Sequence, residues 1–235
     1  DVTFSTYEPN GWGMVLHNDM DNSSATTHLT LGTNGVDLLL QPNTEALTSG
    51  FVNYYSENGT VFSNDNHVIG IESYKVELTI NGNLTLKDNA TILGYEEDIS
   101  LGNLTLENGN IAVNEGTLSL AGGSVGENGV IRAGWQATLN LGGNLAVAGT
   151  LNLYHESSLN LAGNTLDLSG GKIEMRGVQQ NLDGITTDNA TTLKINQWAQ
   201  AFRTDNGTTT VGNLEMVQVQ NPDDNSSNNG SHFDV

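Results

Sequence analysis

Lys172-Ile173-Glu174-Met175-Arg176 is the stretch whose residue types could do the most chemistry. In an extended strand, alternate side chains share a face, so Lys172, Glu174 and Arg176 project together while Ile173 and Met175 point the other way. Two cations beside a carboxylate suit an anionic sugar, and the same trio would equally serve as a salt bridge between neighbouring segments. Oxygen-rich stretches come next. His17-Asn18-Asp19-Met20-Asp21-Asn22 offers Asp19 and Asp21 at alternating positions, and Glu96-Glu97-Asp98 crowds three carboxylates. Hard cations take several carboxylate and carbonyl oxygens, so calcium is the one metal these residues suit, although the EF-hand glycine and terminal Glu are missing. No cofactor is otherwise required. Trp12 lies among aromatics concentrated near the N-terminus and is the candidate platform for a sugar ring, or else part of a cap.

Other chemistries lack their residues. Cysteine is absent, which removes disulfides, thiolate nucleophiles and Cys-based metal sites. The five histidines form no His-x-x-x-His pair. Gly122-Gly123-Ser124-Val125-Gly126 is the nearest approach to a nucleophile elbow and has no strand-to-helix setting. Carboxylate catalysis needs two acids at a defined separation, and 27 acidic residues supply accidental pairs without a diagnostic motif. Seven basic residues against those 27 give a formal net charge of -20. That field repels polyanions, so nucleic acid at neutral pH is excluded as a partner, and an anionic membrane surface is disfavoured. No run approaches the ~18 consecutive apolar residues of a spanning helix, so membrane insertion by this segment is not expected.

The elements that would position these residues are legible in a repeat. Gly82-Asn83-Leu84-Thr85-Leu86 recurs as Gly102-Asn103-Leu104-Thr105-Leu106, and Gly143-Asn144-Leu145 and Gly163-Asn164-Thr165-Leu166 follow. A fixed period in the range of 20 to 50 residues marks a stacked architecture. Inside each period the apolar residues alternate, as in Leu118/Leu120, Leu139/Leu141 and Leu151/Leu153. Such alternation means short strands with one buried face. The pattern predicts an all-β chain folded as a right-handed parallel β-helix, a β-solenoid with coils of about 20 residues and capping segments at both ends. Residues 1–70 are expected to form an N-terminal cap or irregular first coils, residues 71–219 the β-helix with a C-terminal cap, and residues 220–235 a flexible polar tail. The best helical stretch is short, from Leu193 to Phe202. In-register stacking would pile Asn83, Asn103, Asn144 and Asn164 into a structural ladder in which each amide bonds the next.

The Gly-Asn-Leu-Thr-Leu and Leu-Asn-Leu repeats resemble the β-helical passenger regions of bacterial autotransporters and related surface proteins. The resemblance covers half to two thirds of the chain, and the translocating barrel of a complete member is missing. It implies an exported protein, displayed extracellularly or on the bacterial cell surface. The expected function is a non-catalytic module, an adhesin or self-association segment, binding a glycan (mucin among them) or a protein of the host or a neighbouring cell through a rigid polar face. The alternatives are a carboxylate-dependent hydrolase or lyase acting on mucin-like glycoprotein or polysaccharide, and a structural stalk.

Overall fold

The computed structural model describes residues 98–217, Gln197 apart, and a series of strands within residues 2–95 and 232–234; side chains are described at residues 79–86, 92, 94, 98–196 and 198–217. The described residues hold strands and turns and no helix. The strands pair in parallel and stack into a β-solenoid of about six turns, with successive coils about 20 residues apart.

Each coil lays down up to three strands, and the long strand Ile99–Asn114 runs through all three positions of one coil. The first position stacks Ile99–Leu101 on Leu118–Leu120, and Thr117–Leu120 in turn on Thr138–Leu141. The second stacks Leu104–Leu106 on Gly123–Val125, then on Leu145–Val147 and Leu166–Asp167. The third position is the longest and most continuous. It carries Val130–Ala133, Thr150–Tyr154, Lys172–Arg176, Thr192–Asn196 and Asn213–Val217 in parallel register.

Strand alternation turns this stacking into a core. Ile111, Ile131, Leu151, Ile173 and Leu193 face one another from coil to coil, and all are buried. Val113, Ala133, Leu153, Met175 and Ile195 form a second inward row beside them. Each fully buried aliphatic side chain contributes roughly 1.5–3 kcal/mol relative to an exposed one. No single coil could shield its apolar side, so the stack is the unit of stability. Both rows lose their cover at the last strand of the third position, where Leu214 is 42% and Met216 48% exposed.

Carboxylates staple the corners. Asp183 accepts from the backbone N–H and the hydroxyl of Thr204 one coil on, and from Asn181 Nδ2 at 2.9 Å. These bonds, with that from Thr204 first, hold the Asp183 carboxyl far below the usual carboxylate range. Arg203 closes the same corner with a two-point grip on Asp205, both contacts at 2.8 Å.

One feature differs from the sequence reading. The stretch Leu193 to Phe202 is not helical. It holds the strands Thr192–Asn196 and Gln200–Phe202, joined by a corner in which Trp198 has φ of 57°. Leu193 and Ile195 are captured by Ile173 and Met175 of the coil before, so stacking overrides the local pattern. Residues 2–40 and 68–72 include strands that pair in parallel within the same sheet as the repeats, and Phe51–Ser56 and Gly59–Asn64 form an antiparallel pair. At the other end, His232–Asp234 runs parallel to Gln200–Phe202. No helix among the described residues is long and apolar enough to cross a membrane.

Candidate binding cleft on the third face

Alternation on the third face sends every second residue outward, and stacking lines those residues up along the axis. One outward row reads Arg132, Asn152, Glu174, Lys194, Glu215. The next reads Tyr154, Arg176, Asn196, Val217. Between them lies an open cleft of about 510 Å³. Lys172 begins its own strand beside this cleft. Arg132, Lys172, Arg176 and Lys194 thus place four of the chain's seven cations on one face of a molecule whose net charge is -20.

Glu174 organises the basic residues. Lys172 Nζ lies 3.3 Å from one of its oxygens, and Lys194 Nζ, one coil on, lies 3.1 Å from the other. Asn196 Nδ2 donates to the same carboxylate at 2.9 Å. Burial works to raise the Glu174 carboxyl, but the hydrogen bonds and charges of Lys194 and Lys172 outweigh it, and the group sits below its ordinary value. The trio is therefore a cross-coil salt bridge with one surplus positive charge.

The sign of the pH effect follows. A carboxyl depressed in the fold contributes stability that is present above its unfolded value of 4.5 and is lost as pH falls through the lower folded value. Glu174→Gln is expected to lower stability by about 1–2 kcal/mol at pH 7, since it strands two lysines side by side. The difference from the unsubstituted protein should shrink steadily below pH 4.5, as denaturant midpoints measured at pH 7 and pH 3 would show.

An aromatic edge borders the cleft. The Arg132 guanidinium lies over the Tyr154 ring, 5.0 Å from its centroid. Burial pushes the Tyr154 phenol up, helped by the neighbouring charge and hydrogen bond of Glu174. At the corner that follows, Trp135 is 56% exposed and stacks on His155 of the next coil, with ring centroids 5.9 Å apart. Trp198 is 57% exposed at the same corner three coils further along, roughly 14 Å at ~4.8 Å per coil. His155 is pushed down by burial first and then by the charges of Arg176 and Arg132, against a smaller pull from Glu156. Its imidazole is accordingly neutral at pH 7.

The other residues singled out in the sequence do not join this cleft. Asp98 is exposed, and its Oδ1 accepts the Thr117 N–H of the next coil at 2.9 Å. Trp12, Asp19, Asp21, Glu96 and Glu97 lie outside the described residues. Among the described residues, no three His, Asp or Glu side chains gather as metal ligands. Asn103 Nδ2 donates to Asn83 Oδ1 at 3.4 Å, one rung of the asparagine ladder. Gly122 occupies the next slot. Beyond it, Asn144 Oδ1 accepts from the Thr165 N–H, while Asn164, shifted one place along, donates to the Leu141 and Leu161 carbonyls.

Sequence reasoning found Lys172, Glu174 and Arg176 from alternation alone. It missed Arg132, Tyr154, His155, Lys194 and Trp135, which come from other coils. The signal that could have found them is Arg132-x-x-Trp135 and Tyr154-His155 at the end of the third strand of successive periods. Comparisons of the chain with protein-family models, with curated proteins and with solved structures found no match.

Proposed function

We propose that the chain is a non-catalytic binding module of an exported bacterial surface protein, of the autotransporter-passenger kind its repeats resemble, and that it holds an extracellular glycan or protein on one face of the solenoid. The observation that carries this reading is the gathering of four of seven cations with exposed aromatic rings on the third face and its corner. The cleft is lined mostly by charged and polar side chains, with Tyr154 and Val217 as its apolar part, so its contacts to a ligand would be chiefly polar. Rigid stacking repeats such contacts along an axis, so weak contacts add through effective concentration.

The electrostatics favour binding over hydrolysis. A carboxylate-dependent glycosidase needs two carboxyls, one of them raised to act as an acid. Among the described residues Glu174 is the one carboxylate lining the cleft, and its lysines hold it down.

The experiment exposes immobilised mucin, and a panel of neutral and acidic polysaccharides, to the whole chain at pH 5 and 7.5, with calcium or EDTA. Retention without new chain ends is the expected result. Product formation that survives repurification would overturn the module reading and make a hydrolase or lyase of it. Failure to bind anything would favour a stalk. Loss of retention in EDTA would bring in the calcium expected at Asp19, Asp21, Glu96, Glu97 and Asp98.

A further inference from the structure

We infer that the cleft on the third face seats an oligosaccharide of carboxylated pyranoses lying along the solenoid axis, one unit with its carboxylate on Arg132 beside Arg176 and its apolar ring face reaching Trp135 at the corner beyond the cleft, and a further unit at Asn196. This inference rests on the binding-module reading and names the ligand class of that site.

Three independent observations converge on this class. The first is charge. Among the described residues, Arg132, Arg176 and Lys194 line the cleft against the single carboxylate of Glu174, so the site is cationic inside a strongly anionic chain. Lys194 is engaged by Glu174. Arg132, by contrast, lies over a ring and presents its planar fork to solvent, the geometry that takes a carboxylate with two parallel hydrogen bonds. Arg176 is the in-register neighbour of that ring.

The second is an orphaned acceptor. Asn196 is only 9% exposed and lines the cleft, and its Oδ1 has no hydrogen-bond partner while its Nδ2 is fixed on Glu174. A buried amide oxygen without a donor is costly, and almost all such atoms find one. Lys194 is held by Glu174, and a ligand hydroxyl can supply the missing donor. Asn196 stands three coils from Arg132, about 14 Å at ~4.8 Å per coil, so a chain of sugars along the axis meets both where a single sugar or a bare inorganic anion cannot.

The third is the aromatic edge. Trp135 is a large apolar surface left more than half exposed at a corner, held flat by stacking on His155. A pyranose ring presents a face of C–H groups that an exposed indole can cover, with little ordering cost because the indole is already braced. Peptide carboxylates would meet the arginines without using the indole, and a phosphate or sulfate alone would use neither the indole nor the amide oxygen.

The test uses the whole chain and oligosaccharides of galacturonate, glucuronate and sialate, each paired with its neutral methyl ester. Calorimetry is expected to show at least one acid binding about tenfold or more tightly than its ester, the usual worth of a charge-assisted hydrogen bond. Arg132→Gln should abolish that preference, leaving the acid bound like the ester. Trp135→Ala should weaken acid and ester by the same factor. Both side chains are exposed, and unchanged thermal midpoints would verify that the variants fold. The imidazole of His155, followed by NMR, should titrate at higher pH with the acid bound, because the ligand carboxylate offsets Arg176 and Arg132; the ester should leave it unmoved. Acid and ester binding equally would overturn the inference, as would acid binding that ignores Arg132→Gln. Retention of neutral glycans or of protein alone would overturn it too, while leaving the module reading intact; failure to bind any probe would remove both.

Discussion

Replacing Gly123 by alanine is expected to part the solenoid at one coil boundary. Gly123 has φ of 131°, a conformation that side chains of L residues seldom adopt. A Cβ there would sit 2.0 Å from the carbonyl oxygen of Leu104, its register partner in the coil before. That oxygen is backbone and cannot swing aside. The Leu104 N–H bonds the Gly122 carbonyl at 2.9 Å, and the Gly123 N–H bonds the Asn144 carbonyl at 2.9 Å. Moving the strand to make room loosens bonds on both sides. The expected loss is about 3 kcal/mol or more. In a stacked protein that loss falls on the interface between two coils, so thermal melting should resolve into two transitions where the unsubstituted chain shows one. Gly163→Ala is the control. Its φ is 84°, but nothing lies within 4 Å of the added carbon, and only the backbone term of about 1–2 kcal/mol remains. A Gly123→Ala chain that melts once, at the unsubstituted midpoint, would contradict the close coil contact.

Leu151→Ala should be the costliest of the simple truncations in the middle of the stack. Leu151 is fully buried, with Ile131 on one side of it along the axis and Ile173 on the other. Removing its isobutyl end leaves a void between two rigid coils that cannot close without breaking their register. Losses at such sites run to about 2–5 kcal/mol. Leu214 belongs to the same row but is 42% exposed, and Leu214→Ala should cost about 0.5 kcal/mol or less. Urea midpoints with unchanged slopes would report both values. Equal effects at the two positions would mean that the row is not graded from interior to end as described.

The repeat was legible because one physical demand recurs in every coil. A strand stacked on its neighbour needs an apolar residue at every second position, and Leu118/Leu120 above Leu139/Leu141 shows that demand in the sequence itself. The site was only half legible, for the same reason. Alternation within a strand placed Lys172, Glu174 and Arg176 on one side, but what lies beside them depends on register between coils. That register is not constant. Leu151 faces Ile131, 20 positions back, yet faces Ile173, 22 positions ahead. An added residue at a corner displaces every later partner, so the pairing of Glu174 with Lys194 or of Tyr154 with Arg176 could not be counted out. The asparagine ladder shows the cost of assuming a fixed period: Asn164 has the right neighbours in sequence and stands one place out of step in space. Trp198 was hidden differently. Its left-handed backbone makes a corner inside a stretch whose composition reads as helix, and nothing local in the sequence marks that conformation for a tryptophan.

Four cations on one side of a chain of charge -20 make a positive flank on an anionic molecule. For an acidic polymer, the proposed ligand, the net charge is a long-range repulsion and the flank a short-range attraction. These fields reach different distances, and dissolved ions sort them: the screening length is about 30 Å at 0.01 M salt and about 8 Å at 0.15 M. In dilute buffer the repulsion of the whole chain extends beyond the reach of the flank. At the ionic strength of body fluids the distant repulsion has died away, and the flank acts alone on whatever touches it. On the proposed reading the molecule is an oriented receiver, indifferent to polyanions that pass at a distance and receptive to those that arrive broadside on the third face.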